Sequence, residues 1–221
     1  MLRKTLSLSL LLTLSLLITA SAHGPSASHP CGRTLRELVE GNKRFVEGRT
    51  IHPHSNTGWR ERLTAGQHPV VTVVGCSDSR VPPELLFDQG FGDLFVIRVA
   101  GNVIDLDVAA SVEYGVLHTG TSVVLVLGHE GCGAVTAALH DFKSEPLSIQ
   151  ALLKKIVPSL QELNKDAEFA TKLSQGVESN VNQSVRELLS VAPLRDKVEG
   201  GELLIKGAIY DIETGKIRVL D

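Results

Sequence analysis

No run of basic residues appears in this 221-residue chain, which carries 22 Lys and Arg against 25 Asp and Glu. Without a basic cluster to neutralise phosphates, a nucleic-acid partner is excluded. A long hydrophobic run is missing too. The longest, residues 6–18, is broken only by Ser and Thr and at about 13 residues falls short of the ~20 that a membrane-spanning helix needs. Cysteine is scarce: the three residues Cys31, Cys76 and Cys132 are an odd number that cannot all pair internally. Internal repeats and low-complexity segments are absent beyond the N-terminal stretch.

That stretch has its own pattern. Arg3 and Lys4 precede the apolar run, and Ala20-Ser21-Ala22 follows it as a small-x-small site. Basic start, apolar middle and small-residue cleavage site predict a secretory signal peptide over residues 1–22. The product is then exported, periplasmic or secreted, with no membrane association in its mature form. Cleavage leaves 199 residues with 20 basic and 25 acidic side chains, a balance of −5, and a length that suits one domain. Residues 23–32 are small, polar and Pro-rich, which predicts a flexible leader before a single domain over 33–221.

Within that domain, helical spacing of Leu35, Leu38, Val39 and Phe45 predicts an N-terminal helical arm over residues 34–46, with a short helix around 57–64 carrying Trp59. Three β-branched runs, 70–75, 94–99 and 122–128, read as buried strands. The stripe Val108, Ala109, Val112 and Val116 places a helix between the last two. Residues 147–194 read as two or three outer helices interrupted at Pro158, Gly176 and Pro193, and residues 203–220 as a strand, a Gly-containing turn and a returning strand. Strand, helix, strand with short links predicts an α/β fold with a mostly parallel sheet of four to five strands flanked by helices.

The first and third runs end on chemistry. Cys76-Ser77-Asp78-Ser79-Arg80 follows one, and His129-Glu130-Gly131-Cys132 follows the other, so both fall at the carboxyl edge of the sheet, where open α/β sheets place their sites. Two thiolates and an imidazole make a Cys₂His zinc set. A structural zinc site closes with four Cys or His ligands, whereas a catalytic one offers three and leaves a position for water. A Cys76–Cys132 disulfide is the rival in an oxidising compartment, but it has no use for His129. Cys31 reads as a spare thiol or an intermolecular disulfide partner.

Charge sharpens the expectation. Zinc with two thiolates and a neutral imidazole is formally neutral, so it acidifies water less than a three-histidine site does, and activity should rise towards alkaline pH. Asp78 can accept a hydrogen bond from the activated water or close the site as a fourth ligand; Arg80, holding its carboxylate in a bidentate pair, would decide between them.

Together these motifs resemble the β-class carbonic anhydrases, here of an exported bacterial type. Further matches are Arg98-Val99-Ala100-Gly101-Asn102, residues 113–118 and Gly207-Ala208-Ile209-Tyr210-Asp211. The resemblance implies that Cys76, His129 and Cys132 bind Zn²⁺, that Asp78 and Arg80 form a catalytic dyad, and that zinc hydroxide attacks carbon dioxide to give bicarbonate. It also implies that Gln67, Phe95 and Tyr114 bind substrate, and that the chain pairs as a dimer or tetramer in which Tyr114 reaches the partner's pocket. Val73 replaces the tryptophan of a bicarbonate-regulated branch, and Glu130-Gly131 departs from the usual residues between the ligands. His52, His54, His68, His118 and His140 are candidate proton relays, with nothing to select among them. Hydrolysis of carbonyl sulfide or carbon disulfide, or a non-catalytic zinc or redox module, remain the alternatives.

Overall fold

The structure is a computed structural model that describes residues 30–221. The expected signal peptide and residues 23–29 of the leader lie outside the described residues.

Helix α1 spans Pro30–Val46, so the last leader residues are helical and the helix starts before Thr34. Proline suits a first helical turn because its missing N–H would have had no intrahelical partner there. The helix α2 (Thr57–Arg62) is capped by Asn56, whose side chain accepts from Trp59 N–H at 2.9 Å. Strand β1 (Val71–Gly75) is followed by α3 (Pro83–Leu86), β2 (Leu94–Arg98), α4 (Leu106–His118) and β3 (Val123–His129). Then come α5 (Gly133–Ala138), α6 (Leu147–Ile156), α7 (Phe169–Ser190), α8 (Ala192–Glu199), β4 (Leu204–Tyr210) and β5 (Ile217–Val219).

The five strands form one sheet in the order β2-β1-β3-β4-β5, parallel except for β5 against β4. Strand β3 explains why its sequence is apolar without alternation. Val123, Leu125 and Leu127 enter the layer beneath α1 and α3, while Val124 and Val126 enter the opposite layer beneath α4 and α7. Both faces are covered, as parallel sheets require. Strand β2 has a similar composition but lies at the edge, and its residues are only half-buried or exposed.

Two glycines let α7 press onto the sheet. A Cβ on Gly128 would come 2.4 Å from Val181 Cγ2, and one on Gly207 would come 2.6 Å from Val181 Cγ1. Gly176 does not interrupt the helix, contrary to the sequence expectation. Its missing side chain instead makes room for Leu160 and Val135, whose atoms would lie 3.0 and 3.2 Å from a Cβ, and close packing offsets the ~1 kcal/mol helix cost of glycine. The interruption expected at Pro193 falls at Val191, between α7 and α8, and the proline lies in the first turn of α8.

Asp88 fastens α1 to the body. It sits at φ +49° with a fully buried carboxylate that accepts from Arg44 Nε at 2.6 Å and from the backbone N–H groups of Ile51 and His52 at 2.9–3.2 Å. Burial alone would push its carboxyl up, but these donors outweigh that and hold it below its ordinary value. A depressed carboxyl adds stability above its unfolded pKa of about 3.9 and loses it as pH falls. Asp88→Asn should therefore cost about 2 kcal/mol at neutral pH, a gap that narrows near pH 3. Urea unfolding at both pH values reads it, and an equal gap at the two would refute the assignment.

Candidate metal centre

Cys76 is the first residue beyond β1, His129 is the last of β3, and Cys132 is the N-cap of α5. Parallel neighbouring strands thus deliver ligands about fifty residues apart to one point. The turn between His129 and Cys132 needs Gly131 at φ +63°, and Glu130 N–H donates to Tyr210 O at 2.9 Å, tying the turn to β4. All three ligand side chains are buried, and their ligand atoms lie within 4.8 Å of one another. One cation with bonds of ~2.0–2.3 Å reaches all three with small side-chain adjustment.

The donor chemistry fits zinc. His129 Nδ1 lies 2.9 Å from Glu130 O; a carbonyl only accepts, so Nδ1 carries the proton and Nε2 presents its lone pair. Among the described residues that Nε2 is buried with no hydrogen-bond partner, its neighbours being the Cys76 thiol and Asp78 Oδ2 at 3.8 Å, an arrangement that a cation would satisfy. The two thiols meet and share a proton. Cys76 is held down to about 4, chiefly by the hydrogen bond from Cys132, while Cys132 is pushed up by that same neighbour and by burial. Only a cation lets both be thiolates. Cys31, Cys76 and Cys132 are all free, so the rival disulfide is not formed, and Cys31 is a buried thiol 3.5 Å from Glu202 O.

Asp78 stands beside the ligands. Arg80 donates from Nε to Oδ1 at 2.9 Å and from Nη2 to Oδ2 at 2.7 Å, and its backbone N–H adds a third bond at 2.9 Å. The Arg80 guanidinium holds the Asp78 carboxyl well below the usual carboxylate range. Asp78 Oδ2 also lies 3.8 Å from His129 Nε2, so the same carboxylate borders the metal position. The five residues that carry the motifs therefore come together.

The three residues assigned to substrate do not join them within one chain. Gln67 is exposed in the loop entering β1, at the other end of that strand from Cys76. Phe95 pairs in register with Thr72 near the amino end of β2, and its ring lies 6.2 Å from that of half-exposed Tyr114 on α4. Among the candidate relays, His54 contacts Asp93 at 2.7 Å and stacks on Trp59. His118 lies beside Tyr114 and His140 beside Phe169.

Two supports carried no role in the sequence reading. Arg98, at the end of β2, donates from Nε to Cys76 O at 2.9 Å and from Nη2 to Asp78 O at 2.5 Å, bracing the loop that holds both residues. Gly101 and Asp78 each donate a backbone N–H to Cys76 Sγ at 3.4 Å. The parallel register that sets Gly75 opposite Arg98 is what brings Arg98 there, and sequence alone does not display register.

Comparison with known proteins agrees with this geometry. The carbonic anhydrase family's sequence model matches residues 71–217. Carbonic anhydrase 2 of Mycobacterium tuberculosis is 36% identical over 190 residues, covering 84% of this chain and 91% of that protein. Among solved structures, the β-carbonic anhydrase CcaA superposes with a TM-score of 0.71 at 28% identity, covering 86% of this chain and 89% of the other. One of two tetrameric β-carbonic anhydrases from Sordaria macrospora gives 0.70 at 25% identity, covering 85% and 97%.

Proposed function

This chain belongs to the β-class carbonic anhydrases, and from that premise we propose that it hydrates carbon dioxide reversibly to bicarbonate and a proton at a zinc ion held by Cys76, His129 and Cys132. The observation that carries the reading is the buried Cys₂His set, whose imidazole Nε2 has no hydrogen-bond partner among the described residues. Bound zinc supplies the Lewis acidity that makes water a nucleophile near neutral pH. The chain's own residues do the rest. Asp78, ionised because Arg80 holds its carboxyl so low, accepts the hydrogen of the attacking water and aims its lone pair at the substrate carbon. Arg80 binds both oxygens of that carboxylate, which would keep it from closing the site onto a bound metal.

The pocket is completed by a second copy in this reading. Phe95 lies on the half-buried edge strand β2, Tyr114 on helix α4 and Gln67 in the exposed loop entering β1, and a partner against them would receive all three at its own zinc position. That pairing makes the enzyme at least a dimer. Export through the signal peptide at residues 1–22 places it in the periplasm or outside the cell.

Since Asp78 is already ionised, its titration cannot shape the pH profile near neutrality. A cation held by Cys76, His129 and Cys132 would be largely neutralised by the two thiolates and would acidify water only moderately, which gives a rise toward alkaline pH. Protein purified from exporting cells should begin at His23, run as a dimer or larger, contain zinc, and hydrate CO₂ faster as pH rises from about 6 to about 9. Stopped-flow hydration, with carbonyl sulfide and carbon disulfide as competing substrates, decides the matter. Missing zinc, flat activity to alkaline pH, or faster turnover of either sulfur compound would sink it; an uncleaved N-terminus or a monomer would remove the export or pairing claims.

A further inference from the structure

Helix α7 carries polar side chains where its pattern calls for apolar ones. Gly176, Val177, Asn180, Val181, Ser184 and Leu188 form its buried stripe, and Asn180 is only 1% exposed. Burying an amide is unfavourable unless its hydrogen-bonding groups find partners, so a leucine here would be the simpler choice. Asn180 uses its amide at long range. Its Nδ2 donates to Gly101 O at 2.7 Å, across 79 positions of sequence.

Gly101 is also the residue whose N–H points at Cys76 Sγ, 3.4 Å away. It holds φ +68°, and a Cβ there would come 2.8 Å from Ile156 Cδ1 and 3.1 Å from Ala134 Cβ. The turn is packed on one side, held through its carbonyl by α7, and donates to the thiolate on the other. Asp78 gives the same sulfur a second N–H, but that donor belongs to the dyad loop. Only the Gly101 donor is anchored to the helix layer behind the sheet.

We propose that Asn180 is a positioning residue for the metal centre: by fixing the Gly101 carbonyl it keeps the Gly101 N–H on Cys76 Sγ, and so limits how much negative charge that sulfur gives the metal. This rests on the zinc reading above. A hydrogen bond to a thiolate draws electron density away from the metal, and outer hydrogen bonds of this kind tune both affinity and the acidity of bound water. Helix α7 thereby contributes to the site through the carbonyl that Asn180 holds.

The test uses the full chain loaded with cobalt and, separately, with zinc. Asn180→Leu keeps the branching of the side chain, adds some bulk, and lacks the donor. Its sulfur-to-cobalt charge-transfer band should move to longer wavelength, and its zinc affinity in chelator competition should change by roughly 10-fold. Ser184→Ala is the control. Ser184 is equally buried on the same helix and donates to Asn102 O at 2.9 Å, so its loss should lower thermal stability while leaving band and affinity unmoved. Should Asn180→Leu not fold, Asn180→Ser takes its place, with a hydroxyl too short to span to Gly101. An unchanged band and affinity in the Asn180 variant, or an equal shift in Ser184→Ala, overturns the inference. A parent protein that binds neither metal overturns the zinc reading and this inference with it, a result distinct from the other two.

Discussion

Cys132→Ala should bind zinc ~10³-fold more weakly than the parent chain and hydrate CO₂ at no more than the uncatalysed rate. A zinc site of this strength is worth on the order of 12 kcal/mol, and one ligand of three accounts for about a third, or ~4 kcal/mol, which is about three decades. The loss falls on the metal more than on the fold. Cys132 caps a helix of only 6 residues, and alanine removes one buried sulfur there. Metal content after dialysis, chelator competition and stopped-flow hydration on one preparation read the effect. Full zinc in the variant would mean that Cys132 is not a ligand.

Arg80→Ala should separate metal binding from turnover. Zinc stays, because none of the three ligands is touched, while hydration falls ~10²-fold, the scale for losing a preorganised polar group at a reacting centre. The geometry gives the reason: two guanidinium bonds and one backbone bond hold the Asp78 carboxylate, whose Oδ2 is already 3.8 Å from His129 Nε2. Released, the carboxylate would be free to bind the cation in place of water. Arg80→Lys should recover only part of the activity, since an ammonium cannot match the bidentate fork. Activity within twofold of the parent, with zinc intact, would favour a non-catalytic zinc module instead.

The convergence of Cys76, His129 and Cys132 with Asp78 and Arg80 is legible because each lies in a short continuous motif at the end of an apolar run, and a parallel sheet brings such ends to one edge. Strand position was not. Strands β2 and β3 are similar in composition, yet one is the edge and the other is buried on both faces, a difference set by crossover geometry. Gly176 reads as a helix interruption when taken locally, and the packing of Leu160 and Val135 against it is visible only in three dimensions. Asn180 left a faint sign, a polar residue on an otherwise apolar stripe, but its partner stands 79 positions away. Gln67, Phe95 and Tyr114 were placed by resemblance, and a single chain leaves them away from the ligands.

The fastening of α1 bears on when this domain can finish folding. Asn42 donates to Leu86 O and Gly215 O and accepts from Ile217 N–H, so the first described helix is clasped by the last hairpin. Closing loops of some 170 residues is slow and must wait for both ends to exist. During synthesis the layer beneath the sheet therefore stays unsealed until β5 has emerged. Late closure of this kind suits the export proposed above, which needs the chain unfolded while it crosses.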